Sequence, residues 1–279
     1  DFGRSYRLAS GRHFVIEGDE YDCAFFDKRP KFVHYLPDVA IVGNLEFDHA
    51  DIYADLAAVQ LAFVRLLSVI PRRGLLVAGT ESPALLEILP KARCRVETFG
   101  LHEGADWRAV DVRAEGQGSR FRLLRGGRDE GEFVLGLGGE HNVRNALAAL
   151  AASAEAGVEP AAAREPLAAF SGVKRRLEVR GAAGGVTVVD DFAHHPTAVA
   201  ATLSALRALG GPGRLVAVFE PRSYTCRTKV FQDDFARAFR GADRVIVAAA
   251  HLPGKVPEGQ RLSETELVAT MRREGTDAA

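Results

Sequence analysis

Short runs of aliphatic residues alternate along the chain with longer stretches whose apolar positions recur every three or four residues. Residues 13–16, 39–42 and 75–78 are short and apolar enough to be buried strands. Between the last two, residues 55–69 place Leu56, Val59, Ala62, Phe63 and Leu66 on one helical face. A helix between two such strands predicts a parallel sheet with a crossover connection. Residues 107–112, 119–124 and 131–137 then read as strands separated by turns such as Arg125-Gly126-Gly127, an antiparallel attachment to that sheet. The Ala-rich residues 141–154 form a helix, and 160–170 a second one.

Beyond Ser171-Gly172-Val173 the rhythm starts afresh. Strands at 187–190, 215–219 and 245–248 alternate with helices at 197–209, 230–239 and 264–272. We therefore divide the chain into residues 1–172 and 173–279, the second a smaller doubly wound α/β unit. Its last helix runs into Thr276-Asp277-Ala278-Ala279 with no closing strand. The start, Asp1-Phe2-Gly3-Arg4, reads as a chain entered midway, so both ends are expected to continue.

The 279 residues suffice for two such units. With 36 basic against 37 acidic side chains, no global field favours a nucleic acid, although a local basic patch remains open. Cys23, Cys94 and Cys226 are scattered and never paired as C-x-x-C. That argues against a disulfide framework or a structural zinc site and for a reducing compartment. No apolar run approaches the ~20 residues needed to span a bilayer.

Six polar segments can carry chemistry. Glu17-Gly18-Asp19-Glu20-Tyr21-Asp22 follows an expected strand, where a carboxylate can hold Mg²⁺ beside phosphates. Asn44-Leu45-Glu46-Phe47-Asp48-His49-Ala50-Asp51 leaves a second strand of the same sheet, which doubles the acidic character of that edge. Gly138-Gly139-Glu140-His141-Asn142-Val143-Arg144-Asn145 opens the Ala-rich helix, and Asn142 and Asn145 share a face from which amides can read an adenine edge. Lys174-Arg175-Arg176 lies at the boundary and suits a polyphosphate. Asp190-Asp191-Phe192-Ala193-His194-His195-Pro196 occupies a strand-to-helix loop. Arg222, in Glu220-Pro221-Arg222-Ser223, can clamp a carboxylate through two hydrogen bonds. Singly, each segment also reads as a solvated turn, a cap or a charged surface. The Asp/His loop alone would equally serve a binuclear metallohydrolase. No G-x-x-x-x-G-K-[ST], G-x-S-x-G or C-x-x-C occurs.

In this order and spacing the six segments resemble the Mur ligases, over nearly the whole chain from Glu17 to Tyr224. The resemblance implies a partial central ATP-binding domain without its P-loop, followed by a Rossmann-like C-terminal domain. It implies ATP and Mg²⁺, with Glu17 and His49 holding the metal and Arg176 reaching the phosphates. Asn142, Asn145, Asp191 and His194 would contact the nucleotide, and Arg222 the acceptor. Which of Asp190 and Asp191, or of Arg175 and Arg176, faces the nucleotide rests on motif alignment.

Within the family, Glu17 to Asp22 followed by Ala24-Phe25-Phe26-Asp27-Lys28-Arg29 is most similar to the branch that joins UDP-N-acetylmuramate to L-Ala-γ-D-Glu-meso-diaminopimelate in peptidoglycan recycling. The branch that adds L-alanine is the alternative. Residues 54–70 contain no Lys, whereas several family members carry a carbamylated Lys on that helix. The resemblance also implies a bacterial cytoplasmic monomer or weak dimer, without nucleic acid or membrane partners. The implied reaction runs through an acyl phosphate. These 279 residues are expected to form no amide alone, and a non-catalytic nucleotide- or muropeptide-binding remnant is the reading of another class.

Overall fold

The structure, a computed structural model, describes residues 6–210 and 213–279. A small hairpin comes first, β1 (Asp22–Ala24) and β2 (Asp27–Pro30), followed by a 3-10 turn at Lys31–His34. Next come β3 (Val39–Val42), α1 (Leu56–Val69), β4 (Leu75–Gly79), α2 (Pro83–Ile88) and β5 (Arg95–Gly100). Three longer strands follow, β6 (Trp107–Glu115), β7 (Gly118–Arg125) and β8 (Arg128–Leu135). The unit closes with α3 (Glu140–Glu155) and α4 (Arg164–Ala169).

One sheet runs in the order β3-β4-β5-β6-β7-β8, parallel from β3 to β6 and antiparallel from β6 to β8. All five residues of β4 are buried, and their alternation feeds two cores. Leu76 and Ala78 pack with α1 and α2, whereas Leu75 and Val77 pack with α3. Asp55 caps α1 by accepting from the Ala58 N–H at 2.8 Å, and Pro71 stops it. The buried face of α1 is Val59, Ala62, Leu66 and Leu67, with Leu56 left 38% exposed at the entry turn.

In the second unit β9 (Glu178–Ala183) and β10 (Val186–Asp190) form a hairpin. Then α5 (Pro196–Ala208), β11 (Val216–Phe219), α6 (Gln232–Ala238), β12 (Arg244–Val247), α7 (Glu264–Arg273) and β13 (Asp277–Ala278) alternate. β11, β12 and β13 make a parallel sheet, and α5, α6 and α7 close its core through Leu203, Phe235, Leu267 and Met271.

Four expectations change. Residues 13–16 form no strand among the described residues, and Phe14 and Val15 are 76% and 93% exposed. Apolar character without a pairing neighbour does not make a ladder. Residues 160–170 split into a 3-10 turn and the shorter α4. The strand at 186–190 pairs with β9 through a two-residue hairpin turn at Gly184 and Gly185, φ 57° and 77°, and joins no other strand among the described residues. The C-terminal residues do close on the sheet, with Ala279 N–H donating to Val245 O at 2.9 Å. No helix among the described residues is long and apolar enough to cross a membrane.

Candidate active site between the two units

The first wall is built on the loop leaving β3. Ser82, the buried N-cap of α2, pins that loop by accepting from the Leu45 N–H at 3.0 Å and donating to Leu45 O at 3.2 Å. His49 adopts φ +54°, and its carbonyl accepts from the N–H groups of Ile52 and Tyr53. The ring is thereby aimed at the acidic segment, where Nε2 meets Glu20 Oε1 at 2.5 Å. Tyr53 donates to Glu20 O at 2.6 Å, and Tyr21 packs edge-on to His49 at 4.2 Å between centroids.

Burial works against a charge on His49, but the Glu20 bond and the carboxylates of Asp48 and Asp51 outweigh it and raise its pKa. Tyr21 and Tyr53 are pushed up to about 12, chiefly by burial and then by the surrounding carboxylates. For Asp19 burial raises the pKa, yet the Tyr21 N–H and Lys31 prevail and lower it. Glu17, expected beside His49, lies exposed along the same cleft, and Glu20 is the carboxylate on the imidazole. The acidic run announced a site. Without a strand to set the alternation, it did not say which carboxylate faces inward.

The second wall is the start of α3. Gly139 has φ +97°, and a Cβ there would lie 2.6 Å from Ala205 Cβ, so this turn nestles against α5 of the other unit. Asn142 donates from Nδ2 to Gly138 O at 2.8 Å, and Asn145 is exposed. Between them Arg144, which the sequence did not single out, reaches Glu140 at 3.2 Å and Glu81 at 3.5 Å. The contact to Glu81 is made by its buried Nε, which has no closer hydrogen-bond partner among the described residues. His141 nearby has a lowered pKa through burial, against the opposing charge of Asp191.

The junction supplies the third side. Asp191 accepts from Leu177 N–H and Ala193 N–H, both at 2.8 Å, and from Thr202 Oγ1 at 3.2 Å. Arg175 and Arg176 lie over the Phe192 ring at 4.7 and 5.7 Å. Asp191 and Arg176 line the cleft, whereas Asp190 lies 3.8 Å from Arg175 outside that lining. His194 Nε2 stands 3.8 Å from Asp48, and Nδ1 is 2.9 Å from Phe192 O.

His195 Nε2 donates to Phe47 O at 3.2 Å, while Nδ1 stands 3.1 Å from Glu46 Oε2 and 3.3 Å from the Thr197 nitrogen. Thr197 Oγ1 donates to Glu46 at 2.9 Å, and Ala50 N–H donates to Thr225 Oγ1 at 3.1 Å. The acidic loop is thus stitched directly to the second unit. Arg222 is not brought to this cleft. It is exposed on the loop after β11, 3.8 Å from Glu220, while the neighbouring Arg227 is buried on the carbonyls of Ser223, His251 and Leu252.

The cleft has a volume of about 1330 Å³. Glu17, Glu20, Asp48 and His49 line it together with Arg144 and Arg176. Oxygen-rich donors suit Mg²⁺, which keeps several waters and shares its shell with phosphates. The two arginines suit a polyphosphate. The residues present therefore fit a magnesium nucleotide.

Residues 7–153 match the Mur ligase middle domain, and residues 175–277 the Mur ligase glutamate ligase domain. The chain belongs to the Mur ligase family. Mur ligases are ATP-dependent acid–amino-acid ligases, generally with Mg²⁺. This member is 45% identical over 260 residues to the UDP-N-acetylmuramate–L-alanyl-γ-D-glutamyl-meso-2,6-diaminoheptandioate ligase of Escherichia coli (strain K12), covering 92% of the chain and 56% of the relative. To the UDP-N-acetylmuramate–L-alanine ligase of Geobacter sp. (strain M21) it is 37% identical over 274 residues, 98% of the chain and 57% of the relative. A crystal structure of a murein peptide ligase from Psychrobacter arcticus superposes with a TM-score of 0.62 at 34% identity, covering 95% of this chain and 54% of that one. The chain spans about half the length of the relatives it matches.

Proposed function

We propose that this Mur ligase chain is the nucleotide- and acceptor-handling part of a ligase joining UDP-N-acetylmuramate to L-Ala-γ-D-Glu-meso-diaminopimelate. The observation that carries the chemistry is the cleft itself, where the acid–imidazole wall and the Asn142, Arg144 and Asn145 helix start of the first unit meet Arg176 at the domain junction. The greater identity to the tripeptide-adding relative, 45% against 41% for an L-alanine-adding one, favours that acceptor over L-alanine.

In the reaction the lactyl carboxylate oxygen attacks the γ-phosphorus of ATP, and the bond to the bridging oxygen breaks to release ADP. The free amine of the tripeptide then attacks the acyl carbon, phosphate leaves, and the amine loses a proton. Arg176 and Arg144 offset charge on the phosphates, and Asn142 and Asn145 present amides to the base. Glu17 and His49, with Glu20 fixing the imidazole, would hold Mg²⁺. That ion, when bound, supplies charge neutralisation at the phosphates. Asp191 fixes the junction that carries Arg176, and His194 approaches the nucleotide from the second unit. Arg222, exposed on the loop after β11, clamps an acceptor carboxylate. The setting is the bacterial cytoplasm, with the protein a monomer or weak dimer.

The decisive experiment follows ADP release by the protein that carries this chain, with ATP, Mg²⁺, UDP-N-acetylmuramate and either the tripeptide or L-alanine. Turnover with the tripeptide and little with L-alanine is expected. Preference for L-alanine would move the protein to the other branch, and nucleotide binding without turnover would make it a binding remnant. The 279 residues alone contain no G-x-x-x-x-G-K-[ST] and are expected to form no amide. Amide formed by them would sink that expectation.

A further inference from the structure

The hairpin following the acidic segment carries a donor cluster that the nucleotide cleft does not use. In its register Asp22 faces Pro30 and Ala24 faces Asp27, with the irregularity falling at Cys23. The chain then turns through residues 31–34, held by Lys31 N–H on Tyr21 O at 3.0 Å and by Phe32 N–H on Asp19 O at 3.3 Å. Phe32 is 4% exposed and anchors this turn in the core of the first unit. The turn brings His34 back over the hairpin, with Nε2 3.0 Å from Asp27 Oδ2. One donor atom each from Cys23, Asp27 and His34 lies within 4.8 Å of the others. It is the only such group of three donors found among the described residues.

Arg29 organises the carboxylate. Asp27 Oδ1 accepts from the Arg29 N–H at 3.0 Å and from its Nε at 2.9 Å, and Oδ2 accepts from a terminal guanidinium nitrogen at 2.9 Å. These bonds fix the orientation of the Asp27 carboxylate beside His34. An outer hydrogen-bond partner that orients a ligating carboxylate is the usual support of a metal ligand. Of the neighbouring cations, Lys28 is paired with Asp22 and Lys31 with Asp19.

We propose that Cys23, Asp27 and His34 bind a thiophilic divalent transition-metal ion of the Zn²⁺ type, with a fourth position open to water. A thiolate beside an imidazole is the wrong shell for Mg²⁺ or Ca²⁺ and the right one for zinc. Metal–ligand bonds of about 2.0–2.3 Å put the donors of a tetrahedral site roughly 3–4 Å apart, so side-chain adjustments on a fixed backbone close the site. Its place is immediately after Glu20, so a bound ion fixes the segment that continues into the cleft wall. The sequence argued against zinc because no C-x-x-C was present. The site arises instead from three residues spread over twelve positions and gathered by a bulge and a 3-10 turn.

Co²⁺ is the probe. Titrated into metal-free protein, it is expected to give a thiolate-to-cobalt charge-transfer band saturating at one equivalent and bleached by Zn²⁺. No cysteine lines the nucleotide cleft, so a metal bound there gives no such band. The band is expected to vanish in Cys23→Ser, to weaken in affinity by at least about tenfold in His34→Ala, and to persist in Cys94→Ser. A wild-type protein without the band, or a band surviving in Cys23→Ser, overturns the proposal.

Discussion

Asp191 shows how one carboxylate can line a ligand cleft and still be spent on the backbone. Its three accepted bonds tie residue 177 of the junction to residues 193 and 202 of the second unit. Asp191→Ala orphans two N–H groups and is expected to cost about 1–3 kcal/mol in urea unfolding. Asp191→Asn keeps an acceptor oxygen and should recover part of that loss. Asp243 plays a comparable role, accepting from Leu215 N–H at 2.6 Å and from Arg207 at 2.6 Å. The Leu215 bond first, then Arg207, lowers its pKa from 3.8. Its folded pKa lies below the unfolded value, so the stabilisation is present above that unfolded value and is lost as pH falls through the folded pKa. Urea midpoints from neutral pH downward should therefore show a shallower acid decline in Asp243→Asn than in the wild type. None of this was legible from residue type, because an Asp after a strand looks the same whether it binds a ligand or a loop.

The elements that were legible are those whose periodicity is undiluted. β3, β4, α1 and α3 follow from aliphatic spacing, and the Gly-rich turn between β7 and β8 follows from Gly126 and Gly127. β5 escaped notice because Arg95 and Glu97 hide its alternation, and α2 because six residues are too few for a helical period. Where two elements meet the cleft, packing is tight. A Cβ on Gly79 would lie 2.2 Å from Gly43 O, backbone against side chain with no rotamer to relieve it. Gly79→Ala is expected to destabilise by about 1–3 kcal/mol and to displace the loop carrying His49, seen as weaker nucleotide binding in calorimetry. Ser82→Ala removes both the α2 cap and the tie to Leu45. The expected loss is about 1–2 kcal/mol, and a thermal unfolding midpoint unchanged from wild type would contradict it.

On the scale of the molecule, function depends on how two independently cored units face each other. The polar contacts across the junction are Glu46 with Thr197 and His195, Asp48 with His194, and the Ala50 N–H with Thr225, beside small apolar ones where the Gly138-Gly139 turn meets Leu209 and Ala205 and Phe47 lies 6.3 Å from Phe231 between centroids. Partly exposed pairs of this kind contribute little each, so hinge motion about residues 172–177 is the natural expectation. Glu46→Ala should loosen the junction and speed tryptic cleavage at Lys174, Arg175 or Arg176. A saturating magnesium nucleotide should slow cleavage in the wild type by holding both walls. Identical proteolysis rates in all three conditions would show that the junction does not respond to the cleft.

The sequence by itself determined the α/β class, the restart of the pattern near residue 172 and the set of polar segments, because periodicity and local composition are properties of neighbouring residues. It also carried the family, since six ordered motifs survive as spacing. Only the tertiary structure decided that Glu20 meets His49, that Arg144 enters the cleft and that Arg222 stays outside it. The same packing gathers Cys23, Asp27 and His34 on one hairpin. Those are relations between segments brought together by burial of apolar faces, and the direction of a side chain in a loop is fixed by that packing rather than by its neighbours in the chain.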